Sequence, residues 1–186
     1  MLMRNLVAAF ALMAAPAMAT EMTIEVEGYA NGTITIDLLE DVAPGHVARL
    51  KEIADAGRYD GVAFHRVIEG FMAQTGDVQF GNTNANYDAR RAGTGSSGLA
   101  DLTQEFSDIN FDRGVVGMAR KGNSVDTANS QFFIMFQEGA FLNGQYTVIG
   151  TVTNGMDIVD QIKRGHPRTG AITGKPDVMK KVTITE

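Results

Sequence analysis

The 186-residue chain has no cysteine and no tryptophan, and only three histidines and four prolines. Without cysteine there is no disulfide, no thiol nucleophile and no thiolate-bound metal. That absence is compatible with an oxidising compartment but does not require one. His46, His65 and His166 are scattered without ligand spacing, which speaks against a zinc site. Excess positive charge is also missing: 16 Lys and Arg stand against 22 Asp and Glu, a net charge of −6 at pH 7, with no basic cluster. Nucleic acid and anionic membrane surfaces are therefore poor partners. A long apolar run is lacking too, since the uncharged stretch 6–19 falls short of the roughly 20 residues that a spanning helix needs.

That short stretch has the form of an export signal. Arg4 gives a positive start, residues 6–15 are apolar, and Ala17-Met18-Ala19 has the small-x-small pattern of a signal-peptidase site. Cleavage after Ala19 is expected, which makes 1–19 a signal peptide and leaves 20–186 as one domain with no membrane attachment. The 167 residues that remain of 186 after removing 19 are an ordinary size for a domain with its own core. Losing Arg4 leaves 15 basic against 22 acidic residues, a charge of −7, which favours solubility.

What is present is mostly strand pattern. Residues 22–27 and 33–38 flank a Gly/Asn turn, with Ile34, Ile36 and Leu38 alternating against polar neighbours, and read as a hairpin. Residues 41–57 switch to helical spacing, with Pro44 in the first turn, Val47, Leu50, Ile53 and Ala54 on one stripe, and Gly57 as a stop. His46 on that helix reads as an exposed or capping residue. Further strands are expected at 62–67, 71–75, 114–120, 131–136, 148–152 and 181–185, the last able to pair with 22–27. A second helix carries Met156, Ile158, Val159 and Ile162, with Asn154 as its cap and Gly165 as its end. The stretch 80–107 is rich in Gly, Asn, Ser, Thr and Asp, and 93–98 reads as its most flexible part. It lacks the strand-loop-helix setting and the lysine of a phosphate-binding loop, so a surface loop bordering a groove is the better reading. Eight strands can close a barrel filled by side chains. Periodicity alone allows a sandwich as well.

The chemistry concentrates in 64–77, where Glu69-Gly70 reads as a turn that sets Arg66 opposite Gln74. Side chains alternate faces along a strand, so Met72 and Gln74 share a face, and Arg66 pointing the same way completes a donor fork beside an apolar floor. In 131–136, Gln131 and Phe133 share one face while Phe132 and Ile134 share the other. A barrel with that alternation can carry an apolar pocket on its outside.

Four stretches, 64–77, 114–120 (GVVGMAR), 129–134 (NSQFFI) and 141–150 (FLNGQYTVIG), together resemble the cyclophilin family of peptidyl-prolyl cis/trans isomerases. The resemblance runs through essentially the whole chain after the first twenty or so residues. It implies a mainly β fold, a closed eight-stranded antiparallel barrel capped by two α-helices. It also implies an enzyme that needs no metal or cofactor. An X-Pro bond rotates over a barrier of about 18–20 kcal/mol because rotation breaks amide resonance. An apolar socket for the ring and one donor to the twisted imide are sufficient to lower it. By resemblance, Arg66 is that donor and Gln74 fixes its guanidinium. Phe71, Met72, Phe133 and Leu142 form the socket, and Ala119, Arg120 and Gln131 line an adjoining groove. Phe141 stands where the best-known eukaryotic members have tryptophan, Tyr146 where they have histidine, and Arg120 where they have asparagine. Phe141 lacks the indole donor, so cyclosporin is expected to bind weakly. His65 reads as a hydrogen-bonded interior residue rather than a base.

These departures are similar to those of bacterial members, which together with the signal implies a periplasmic monomer acting on proline-containing peptides and unfolded exported proteins. Two other readings stay open at this level. One is a binding module or holdase that uses the socket without accelerating rotation; the other is a barrel enclosing a small apolar ligand, against which the bulk of Phe132 and Ile134 argues.

Overall fold

A computed structural model describes residues 20–85 and 87–186. The proposed signal peptide, 1–19, lies outside the described residues. Nine strand segments form one antiparallel sheet: β1 (Thr20–Glu27), β2 (Gly32–Leu38), β3 (Val62–Ala63), β4 (Arg66–Ile68), β5 (Met72–Thr75), β6 (Val115–Met118), β7 (Phe132–Met135), β8 (Val148–Asn154) and β9 (Val178–Thr185). Their order is β3-β9-β1-β2-β8-β6-β7-β5-β4. The expected mainly β barrel with two helices is what is found, strongly curled and nearly closed.

The ninth segment arises because one expected strand, 62–67, is shared between the two edges of the sheet. Its first half pairs with β9, Val62 opposite Met179, and its second half pairs with β5, Arg66 opposite Gln74. Between them the Phe64 amide donates to the Asp177 carbonyl at 2.9 Å and the His65 amide to the Gln74 carbonyl at 3.1 Å. Thr75 ties the halves together through a 2.9 Å bond from its hydroxyl to the Ala63 carbonyl. The chain therefore changes partners at Phe64-His65, and the sheet curls on itself there.

Strand alternation sorts the apolar residues into two cores. Inside the barrel, Met22, Ile24, Ile34, Ile36, Phe64, Phe132 and Ile134 pack with the helix residues Val47, Leu50 and Ile53. On the outer face, Met72, Phe111, Val115, Phe133, Met135, Leu142 and Val148 form a second cluster. Phe132 thus belongs to the interior and Phe133 to the exterior. An interior filled in this way leaves the enclosed-ligand reading without support.

Helix α1 (Pro44–Asp55) begins with proline in its first turn, and Gly57 follows its end in the left-handed conformation at φ +65°. Its start holds a correction. Neither Ala43 nor His46 caps it; the Glu105 carboxylate, from a distant loop, accepts from the Gly45 and His46 amides at 3.0 Å each. His46 is fully buried rather than exposed, with Nδ1 2.5 Å from the same carboxylate. Burial pushes the Glu105 pKa up, but the bonds from His46 and the helix amides outweigh it and hold the carboxyl below its usual range.

A second correction concerns α2 (Met156–Gln161). Asn154 ends β8 and Gly155 precedes the helix at φ +88°, with no side-chain cap. A Cβ on Gly155 would come within 2.2 Å of the Thr33 carbonyl oxygen, so the chain turns too close to β2 for any side chain. Among the described residues no helix is long and apolar enough to cross a membrane.

Candidate active site

The β4–β5 hairpin turns through Gly70 at φ +66°, with the Phe71 amide bonded to the Ile68 carbonyl at 3.1 Å. Its register sets Arg66 opposite Gln74 and Ile68 opposite Met72. The next strand continues the row, with Gln74 opposite Phe133 and Phe133 opposite Gly117 of β6. At Gly117 a Cβ would meet Phe111 at 2.5 Å and Phe133 at 2.6 Å, so the missing side chain is what lets both rings lie on the outer face.

The Arg66 guanidinium is held on two sides. Nη1 donates to Gln74 Oε1 at 3.1 Å and lies 3.7 Å from Met72 Sδ, while Nε donates to the Thr169 carbonyl at 3.2 Å. Its Nη2 has no partner among the described residues. Half-burial pushes the Arg66 pKa down, with Tyr146 acting the other way. An arginine ordinarily titrates far above neutrality, so the group remains a cation at neutral pH.

The cation faces a cavity of about 290 Å³ walled by Phe71, Met72, Phe133, Leu142, Tyr146 and the lip residue Phe141. Phe133 and Leu142 are nearly buried, whereas Phe141 is 71% exposed and leans on Phe71 with ring centroids 5.4 Å apart. Tyr146 meets Phe133 edge-on at 5.8 Å. Ala119 and Arg120 complete this wall and continue into a second cavity of about 350 Å³. Of the residues assigned to the site from the sequence, all but Gln131 line the first cavity, and Gln131 lines the second.

Gln131 is also a link. Its Oε1 accepts from Gln74 Nε2 at 3.0 Å, and its own Nε2 donates to the Gly93 and Gly95 carbonyls at 3.2 and 2.9 Å. The amides of those glycines donate to Asp77 Oδ2 at 2.7 and 2.9 Å, and Asp77 Oδ1 accepts from the Gln79 and Phe80 amides at 3.0 and 2.9 Å. The glycine-rich stretch expected to be most flexible is therefore fastened at its start by a fully buried carboxylate and a carboxamide. Thr169 and Asp77 were not assigned roles from the sequence. A main-chain carbonyl carries no residue-type signal, and a lone aspartate at a strand end resembles a solvated turn residue.

His65 is buried as expected, but among the described residues neither ring nitrogen makes a well-formed hydrogen bond; the Ala63 main chain and the Gln131 side chain are its weak polar neighbours. Gly93 lies on the ring, where a Cβ would come within 2.9 Å of Cδ2. Burial pushes the His65 pKa down to about 4, against the pull of the Asp77 carboxylate. The folded chain thus holds a neutral imidazole where the unfolded chain, near pH 6.5, would protonate it. Below pH 6.5 the unfolded state binds the extra proton, so stability falls as pH drops from about 6.5 to about 4, by roughly 3 kcal/mol, and no further from this group. Urea titrations of wild type and His65→Gln across that window should diverge, with the steeper acid loss in wild type; parallel curves would remove this role.

The chain that carries this socket and pinned guanidinium is matched from residue 21 to residue 186 by the model of the cyclophilin type peptidyl-prolyl cis-trans isomerase family. The chain belongs to that family. It is therefore an enzyme of the isomerase class. It is 55% identical over 154 residues to a probable peptidyl-prolyl cis-trans isomerase of Brucella suis, covering 83% of this chain and 78% of that one. It is 34% identical over 152 residues to peptidyl-prolyl cis-trans isomerase B of Bacillus subtilis, covering 81% and 90%. Among solved structures, a cyclophilin from Hirschia baltica matches with a TM-score of 0.70 at 23% identity, covering 88% of this chain and 73% of that one. A Cryptosporidium parvum cyclophilin crystallised in the presence of the dipeptide Ala-Pro matches with a TM-score of 0.70 at 22% identity, covering 89% and 99%. At those identities the two structures speak for the cyclophilin fold alone.

Proposed function

We propose that this cyclophilin accelerates X-Pro rotation by seating the proline ring in the Phe71, Met72, Phe133 and Leu142 socket while Arg66 stabilises the half-rotated imide. The observation that carries this is the guanidinium itself. Two of its nitrogens are committed to Gln74 and Thr169, and Nη2, beside the socket, has no partner among the described residues. As the C–N bond twists, the imide nitrogen regains its lone pair and the carbonyl is displaced; a fixed donor meets that charge without reorganising. Gln74 and Gln131 keep the donor fixed, and Arg120, Ala119 and Tyr146 border the path of the flanking peptide. Phe141, open to solvent and without an N–H, supports only weak binding of cyclosporin.

The substrates are proline-containing peptides and, in the cell, unfolded exported proteins in the periplasm. This rests on the Arg4, apolar-run and Ala17-Met18-Ala19 pattern. The working unit is a monomer. Exchange spectroscopy of an X-Pro tetrapeptide with the mature chain is the test of function: faster cis/trans exchange is expected, and peptide shifts without faster exchange would indicate a binding module instead. Fractionation of cells making the full chain should place a product starting at Thr20 in the periplasm; an uncleaved cytoplasmic product would overturn the export reading.

A further inference from the structure

The chain carries six more acidic than basic groups, yet none of the residues lining the two joined cavities is an aspartate or a glutamate. Three cations line them: Arg66, Arg120 and Lys121. Lys121 Nζ is 3.2 Å from the Asp101 carboxylate, which offsets its charge. Arg66 is assigned to the imide. Arg120 is left, at the junction of the two cavities, in neither of which a carboxylate answers it.

Arg120 is held much as Arg66 is. Nε donates to the Gln145 carbonyl at 3.2 Å, Nη1 donates to the Lys121 carbonyl at 3.2 Å, and the guanidinium lies 4.5 Å from the centre of the Tyr146 ring. Main-chain carbonyls and an aromatic face fix the plane of the group without neutralising it. Its Nη2 has no partner among the described residues. A guanidinium so arranged is a preorganised receptor for a carboxylate.

Building on the isomerase reading above, we propose that Arg120 is a specificity-determining residue that favours substrates with a carboxylate side chain within two residues of the proline. A peptide whose proline occupies the first cavity must pass Arg120 to reach the second, so an acidic side chain on that flank meets an unanswered cation and a basic one is repelled. The group is partly solvated, so the preference is modest and sensitive to salt.

The test is a set of tetrapeptides with Glu, Gln or Lys placed in turn before and after the X-Pro bond, with kcat/KM measured by exchange spectroscopy at low and at high ionic strength. Glu should exceed Lys by about 3- to 10-fold on one flank at low salt, with Gln between them, and the ratio should shrink towards 1 at high salt. Arg120→Gln should flatten the series and Arg120→Lys should retain much of it. A series independent of charge on both flanks, or a preference that survives Arg120→Gln, overturns the assignment and leaves the isomerase reading intact. Failure to accelerate any of the peptides would instead remove the reading on which it rests.

Discussion

Arg66→Ala is expected to lower kcat on a proline tetrapeptide by roughly 10²-fold or more, the scale seen when one preorganised donor to a transition state is removed. The loss should fall on kcat rather than KM. The ring is held by Phe71, Met72, Phe133 and Leu142, and the donor meets charge that exists only in the twisted imide. Arg66→Lys should recover little of it. A single ammonium cannot bond Gln74 and the Thr169 carbonyl at their present positions and still offer a fixed donor to the cavity. Turnover near wild type in Arg66→Ala would take the residue out of the mechanism.

Asp77→Ala is expected to be the most destabilising single change near the site, by about 3 kcal/mol or more. The carboxylate has no solvent exposure and accepts from four main-chain amides: Gln79, Phe80, Gly93 and Gly95. Each amide left buried without an acceptor costs about 1–3 kcal/mol, and water entering the vacated space recovers part of the sum. The same change should lower activity in the molecules that remain folded, though less than Arg66→Ala does. The Gly93 and Gly95 carbonyls hold Gln131, Gln131 holds Gln74, and Gln74 holds Arg66. Urea denaturation at pH 7 gives the stability and tetrapeptide kinetics the activity; a change in unfolding free energy below about 1 kcal/mol would mean that the clamp is dispensable.

Those two residues mark how far the sequence could be read. The opposition of Arg66 and Gln74 was legible because a two-residue period and a Glu69-Gly70 turn leave little choice of register. The division of Phe132 from Phe133 was legible for the same reason. Helix α1 was legible from its apolar stripe, Pro44 and Gly57, with its ends drawn two or three residues too long. What escaped was long-range and carried by the main chain. The Thr169 carbonyl lies 103 residues from Arg66, and Glu105 caps α1 from a loop some 60 residues away. His46 looked like an exposed cap because nothing local announces a carboxylate that arrives through the fold. The glycine-rich loop looked free because its composition records low side-chain bulk and says nothing about who holds its amides.

The partner change at Phe64-His65 carries a kinetic consequence. The stretch that joins β9 to β5 also bears Arg66, so the donor sits next to the place where the barrel closes. The Arg66–Gln74 pairing belongs to the local β4–β5 hairpin, but the Thr169 carbonyl that holds Arg66 Nε comes from a segment 103 residues away, so a molecule with the hairpin formed and that segment undocked has the guanidinium held on one side only. Return of tetrapeptide turnover during refolding should therefore lag hairpin formation and follow the docking of the Thr169 segment, making catalysis a clock for that long-range contact.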